Sequence, residues 1–188
     1  MPIRPIVITG DPVLHTKALE VTEFNQELRD LVQDMFETMD QAPGVGLAAP
    51  QIGVALRIFV YDWDADDGTA QRGVVINPSL DRSDTPAGEA DWESESEGCL
   101  SVPGERFPLK RAEKATVRGV DLSGESIEIV AEGWFARIFQ HEFDHLDGIL
   151  YVDRLAEPYK SECKEIIAER GWGKPNLSWL PGQDKLEG

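Results

Sequence analysis

At 188 residues, 41% hydrophobic and 28% charged, the chain has the size and composition of one globular domain with a full core. A net charge of −17, with no run of Lys or Arg to override it, argues against direct nucleic-acid binding. No stretch approaches the roughly 18 apolar residues of a membrane span, the start Met1-Pro2-Ile3-Arg4-Pro5 lacks a signal peptide's apolar core, and two cysteines build no disulfide framework; a cytoplasmic monomer without membrane contact is expected.

Residues 1–20 read as irregular, punctuated by Pro2, Pro5 and Gly10-Asp11-Pro12, with a short turn over 13–15. His15 has no ligand-like spacing around it and reads as a surface or locally hydrogen-bonded histidine. Over 25–41, Leu28, Leu31, Val32, Met35, Phe36 and Met39 recur at helical spacing. Asn25 or Thr22 can cap that helix, and Pro43-Gly44 ends it. Gly44-Val45-Gly46-Leu47-Ala48-Ala49-Pro50-Gln51 then reads as a tight core-facing loop in which Gln51 is the one long polar side chain. It is not a phosphate loop, since no Gly-Lys-Ser/Thr follows.

Strands are predicted at 56–61 and 73–77, and a hairpin at 114–120 and 126–130. The acidic segments 62–67 and 81–97 read as solvated loops. The first begins like a calcium loop, but Gly68 comes one residue late and Gly73 stands where the closing glutamate belongs, which excludes an EF-hand. A short strand is predicted at 149–152 and a helix at 158–170, with Ile166 and Ile167 on its apolar side. Residues 171–188 read as an extended tail held by Trp172 and Trp179, ending in a few mobile polar residues.

The chemistry lies in Gln140-His141-Glu142-Phe143-Asp144-His145-Leu146. With Trp134, Phe135, Ile138 and Phe139 before it and Gly148 after it, this stretch has helical periodicity. Residues four apart share a helix face, so His141 and His145 can converge on one metal ion, with Glu142 placed as a general base. The alternative is a buried helix whose histidines bond to neighbours. A catalytic site needs a third protein ligand, and spacing leaves two kinds open. One is Cys99, whose thiolate suits zinc or ferrous iron but which would otherwise be a small buried hydrophobe. The other is a carboxylate from Glu162, Glu165 or Glu169, as zinc peptidases use. Cys163, on the polar side of the last helix, is read as a packing residue. The expected fold is α+β: antiparallel strands around a central metal-binding helix, with further helices toward both ends. One catalytic domain (1–170) would be followed by a tail (171–188).

Three stretches together, Gly44-Val45-Gly46-Leu47-Ala48-Ala49-Pro50-Gln51, Glu97-Gly98-Cys99-Leu100-Ser101 and Gln140 to Leu146, resemble the three motifs of bacterial peptide deformylases in identity, order and approximate spacing. The resemblance runs from about Ile6 to Leu155. It implies an enzyme that removes the formyl group from the N-formylmethionine of nascent chains, and it selects Cys99, with His141 and His145, as the metal ligands. It implies Glu142 as general base, and the Gln51 amide and Leu100 backbone N–H as oxyanion donors. Trp134 and Ile138, with Val45 and His141 near, would line a pocket for the methionine side chain. The backbone at Val45-Gly46 and Glu97-Gly98 would pair with the substrate as an added strand, and Arg106 would lie near the peptide's path. Glu97 and Arg111 match a structural pair. Ferrous iron is the implied metal in the cell, with zinc, nickel or cobalt compatible with the same ligands.

Two features depart from the family pattern. The acidic stretch 81–97 is longer than in the shortest members and would frame the cleft. Residues 157–188 carry five Lys/Arg against six Asp/Glu, unlike the basic terminal helix that docks some relatives on the ribosome, so only a transient ribosome contact is expected. A non-enzymatic binder of formylated peptide ends would need a damaged site, whereas Glu142, Gln51 and all three ligands are present.

Overall fold

The computed structural model describes residues 2–64, 68, 70–184 and 186. Along them run β1 (Ile6–Val7), α1 (Gln26–Gln41), β2 (Gly46–Ala48), β3 (Ile58–Asp64), β4 (Ala70–Arg82) and β5 (Ser96–Cys99). There follow β6 (Val102–Pro108), β7 (Lys114–Val120), β8 (Ser126–Glu132), α2 (Gly133–Leu146), α3 (Tyr159–Glu169) and β9 (Ser178–Trp179). One antiparallel sheet has the order β2-β3-β4-β7-β8, and β5-β6 and β1-β9 form two-stranded antiparallel pairs. Among the described residues no helix is long and apolar enough to cross a membrane.

Strand β3 shows why the layers form. Successive strand side chains point to opposite faces, and Ile58, Phe59, Val60 and Tyr61 are all buried. Ile58 and Val60 join a cluster with Val32, Met35 and Met39 of α1. Phe59 and Tyr61 join one with Phe135, Ala136 and Phe139 of α2. The sheet is therefore covered by α1 on one face and α2 on the other. Burying each of these large side chains contributes roughly 1.5–3 kcal/mol, which secures α2 as the innermost helix. A third cluster, with Leu14, Phe107, Tyr151 and Cys163, ties β6 and α3 to the 3-10 turn Tyr151–Arg154.

Helix ends match their sequence signals. Asn25 accepts from the Leu28 backbone N–H at 3.0 Å, so it, not Thr22, caps α1. A cap of this kind is worth about 1 kcal/mol. At the end of α2, Arg57 donates to the Leu146 carbonyl at 3.1 Å. Gly148 follows with φ of 74°, and a Cβ there would sit 2.7 Å from the Thr16 backbone nitrogen, so only glycine fits. His15 is exposed and accepts from the Gly10 backbone N–H at 3.1 Å, as expected of a histidine without a ligand role.

Several sequence expectations need correction. The strand expected at 56–61 is shifted, since β3 begins at Ile58 and ends at Asp64; that at 73–77 is the middle of β4, which runs on to Arg82, so Asp81 is a strand residue rather than loop. Arg118 bridges Asp81 and Glu128 across the sheet surface. Residues 149–152 form no strand; Tyr151–Arg154 is a 3-10 turn in which Asp153 accepts from the Leu150 N–H. The loop 44–53 contains β2 and a 3-10 turn over Ala49–Ile52. Cys163 faces the core at 2% exposure, not the polar side of α3. Residues 65–67 of the first acidic segment, and 185 and 187–188 of the polar end, lie outside the described residues.

Candidate active site

Helix α2 and strand β5 bring three donor atoms to one point. The Nε2 atoms of His141 and His145 are 3.2 Å apart, and Cys99 Sγ lies 3.3 Å from His145 Nε2. All three residues are buried, and their candidate ligand atoms all lie within 4.8 Å of one another. Tetrahedral bonds of about 2.0–2.3 Å to a shared ion would place ligand atoms about 3.3–3.6 Å apart. The donor set therefore fits a divalent metal. The two imidazoles are driven apart: burial opposes a charge on His141, yet Cys99 and Glu97 beside it raise its pKa well above the ordinary value, whereas burial and then His141 hold His145 well below it. The competing carboxylates Glu162, Glu165 and Glu169 are exposed on α3 and take no part in the cluster.

The ligand ring is held by a buried charge network. His141 Nδ1 meets Glu97 Oε1 at 2.7 Å, leaving Nε2 directed at the centre. Glu97 also accepts from Arg111 Nε at 2.9 Å, Arg111 Nη2 at 2.8 Å and Arg137 Nη1 at 3.0 Å. Arg111 donates on to Asp144 at 2.5 Å, and Arg154 completes that carboxylate with two bonds of 2.6 Å. Burial alone would raise the Glu97 pKa, but Arg111, and then His141, hold it far below the usual carboxylate range. Glu97 thus acts through its side chain on the ligand and on the arginines. Arg137, Asp144 and Arg154 were not singled out from sequence. The available signal was charge at positions 137 and 144, four residues before and three after His141 on the same helix face.

Glu142 and Gln51 stand beside the donor cluster. Glu142 is 4% exposed, and its Oε2 has no hydrogen-bond partner among the described residues. Burial pushes its pKa up to about 7. The Gln51 Oε1 accepts from the Ala48 backbone N–H at 2.8 Å, which turns the amide nitrogen toward Cys99 Sγ at 3.6 Å. Gly46 explains how Glu142 finds room: a Cβ at that position would lie 2.4 Å from Glu142 Oε1. Gly46→Ala is expected to displace the carboxylate and lower turnover about tenfold or more with metal content unchanged, measured as kcat beside metal analysis.

A cavity of about 380 Å³ opens over this group. Val45, Gly46, Glu97, Gly98 and Arg106 line it, as do Trp134 and Ile138, one helical turn apart on α2. Gln51, Leu100, Glu142 and the donors Cys99 and His141 form its polar end. Every residue expected to touch substrate is therefore at the cavity. Trp63 and Arg137 line it too, unforeseen, and the Arg137 guanidinium lies 5.0 Å from the centre of the Trp134 ring. Arg106 is steadied by a 2.9 Å bond to the Ser96 carbonyl. Among the described strands β2 pairs only with β3 and β5 only with β6, so each has one unpaired edge, and both strands contribute residues to the cavity lining. Of the acidic stretch 81–97 only Glu97 lines the cavity; Trp92 instead packs this stretch against Phe107 and Tyr159.

Comparison with known proteins agrees with this geometry. Residues 3–161 match the family model of polypeptide deformylase. Peptide deformylase 2 of Corynebacterium efficiens is 52% identical over 186 residues, covering 98% of this chain and 96% of the relative. The peptide deformylase of Mycolicibacterium smegmatis is 51% identical over 190 residues, covering 97% and 96%. The solved peptide deformylase of Thermus thermophilus superposes with a TM-score of 0.75 at 41% identity, over 89% of this chain and 94% of that one. That of Synechococcus elongatus, in complex with actinonin, gives 0.78 at 33% identity, over 94% and 92%. With the fold, the cysteine–histidine cluster and these matches in agreement, the chain belongs to the polypeptide deformylase family.

Proposed function

We infer that the chain is a metal-dependent hydrolase that removes the formyl group from the N-terminal N-formylmethionine of newly made polypeptides, releasing formate. The observation that carries this is the convergence of Cys99, His141 and His145 beside a buried Glu142, whose Oε2 has no hydrogen-bond partner among the described residues, at a cavity lined by residues of β2 and β5. Cys99, His141 and His145 would hold one divalent ion, ferrous iron in the cell, with zinc, nickel or cobalt as other occupants; one thiolate with two imidazoles suits all four. Such an ion supplies an acidified water, with a pKa brought from 15.7 toward about 7, and polarises a carbonyl.

The chain's own residues do the rest. Glu142 takes the proton of the attacking water and later delivers it to the leaving amine. Negative charge growing on the formyl oxygen is met by the Gln51 amide, already oriented by Ala48, and by the Leu100 backbone N–H. Each such donor is worth about 3 kcal/mol of barrier. The peptide lies between the edges of β2 and β5 as an added strand, through backbone at Val45-Gly46 and Glu97-Gly98, with Arg106 beside its path. The methionine side chain enters among Trp134, Ile138 and Val45, a surface suited to a flexible thioether.

The catalytic unit is residues 1–170, with 171–188 as a tail, working as a monomer in the cytoplasm on nascent chains. Contact with the ribosome is transient, since the C-terminal segment is not basic. Hydrolysis of formyl-Met-Ala-Ser beside acetyl-Met-Ala-Ser tests the reading. Formate release with the acetyl peptide left intact is expected; cleavage at an internal peptide bond instead would point to a peptidase.

A further inference from the structure

The turn that carries Cys99 is held from outside by the two ends of the chain. Strands β1 and β9 pair with Ile6 opposite Trp179. Thr9 donates its backbone N–H to the Ser101 carbonyl at 2.8 Å. Trp179, at 2% exposure, donates its indole Nε1–H to the Leu100 carbonyl at 2.8 Å. The Ser101 N–H faces Cys99 Sγ at 3.4 Å. The carbonyls of Leu100 and Ser101 are thus tied to β9 and to the loop that follows β1.

We propose that Trp179 is a positioning residue for the reaction: its indole N–H fixes the Leu100–Ser101 peptide plane and thereby aims the Leu100 N–H at the developing oxyanion. This rests on the assignment of the Leu100 N–H as an oxyanion donor. The two peptide planes that flank Leu100 meet at its Cα, so freeing the carbonyl on one side loosens the N–H on the other. An oxyanion donor is useful in proportion to its preorganisation, and a small misalignment is felt in the transition state more than in the bound substrate. The indole of Trp179 also packs in the cluster beneath β3 with Ile6, Met35 and Met39, so the donor is itself rigid.

The test compares wild type, Trp179→Phe and a variant with benzothienylalanine at 179, which keeps the indole shape and lacks the N–H. Formate release from formyl-Met-Ala-Ser is followed without oxygen, with bound metal and thermal midpoint measured on the same samples. The expected result is a kcat per bound metal about three- to tenfold below wild type, the span of one neutral hydrogen bond, with KM within about twofold. The benzothienyl variant, whose packing is preserved, should show the same kcat loss with a midpoint lowered by only a few degrees, the cost of the one lost hydrogen bond. A kcat per metal within about twofold of wild type, or a loss seen only as raised KM, overturns the proposal. A wild-type protein that releases no formate overturns the deformylase reading and this proposal with it, whereas an active wild type with unaffected variants overturns this proposal alone.

Discussion

Glu142→Gln is expected to lower kcat for formate release by about 10²- to 10⁴-fold, the usual contribution of a positioned general base, with the metal still bound. Glutamine keeps the length and planarity of the side chain but cannot take the proton of the attacking water. The same substitution is expected to stabilise the metal-free protein at neutral and higher pH. Burial holds the Glu142 pKa at about 7, above the ordinary 4.5. Below pH 4.5 the group is neutral in both folded and unfolded chains and costs nothing. Between 4.5 and about 7 the unfolded chain ionises while the folded chain stays protonated, so the folded state binds more protons and its stability falls as pH rises. The cost levels off above pH 7 at on the order of 3 kcal/mol. Denaturant unfolding of the metal-free proteins at pH 4 and pH 8 measures it: the variant should gain at pH 8 and not at pH 4. A variant with wild-type kcat, or with no gain at pH 8, would contradict this role and this burial.

Glu97→Ala should be the most disruptive single change to stability around the site. Glu97 sits at 4% exposure among Arg111, Arg137 and His141. Its removal leaves Arg111 buried with Asp144 alone to balance it, and Arg137 with its backbone acceptors and the Glu95 carboxylate 3.9 Å away. Removing one partner from a buried ion pair costs about 3–5 kcal/mol, and at roughly 2–4 °C per kcal/mol for a chain of this size the thermal midpoint should fall by about 10 °C. His141 also loses the acceptor that sets its tautomer, so metal affinity should drop about 10- to 100-fold. Glu97→Gln keeps the shape and part of the hydrogen bonding and should lie between. Because the folded-state pKa of Glu97 is depressed, its contribution is present above the ordinary 4.5 and fades as pH falls through the lowered folded value. The difference between wild type and variant should therefore shrink in acid. Midpoints that stay equal at pH 7 would sink this assignment.

Long apolar periodicity made α1 and α2 legible from sequence, because a helix of 16 or 14 residues repeats its pattern several times. The short elements were not legible. Strand β2 is Gly-Leu-Ala, with no alternation to detect, and the β5–β6 hairpin includes Gly98, Pro103 and Gly104, which read as turn residues. The run Ile149-Leu150-Tyr151-Val152 suits a strand by composition, but at four residues periodicity cannot separate a strand from a 3-10 turn. At the site, His141, Glu142 and His145 follow from helix geometry alone. Cys99 did not, because spacing left it level with the α3 carboxylates, and only resemblance to a family distinguished them. The network around Glu97 was legible in part. Arg111 was paired with it by resemblance, while Arg137 and Asp144 needed the fold, since they meet Glu97 and Arg111 from 33 to 40 residues away in sequence.

The most direct test of the account is metal content and formate release, measured together on wild type and Cys99→Ala purified without oxygen. The expected result is about one divalent ion per wild-type chain, rapid formate release from formyl-Met-Ala-Ser, and the loss of both in the variant. A variant that keeps its metal, beside a wild type that releases no formate, would contradict both the ligand set and the reaction.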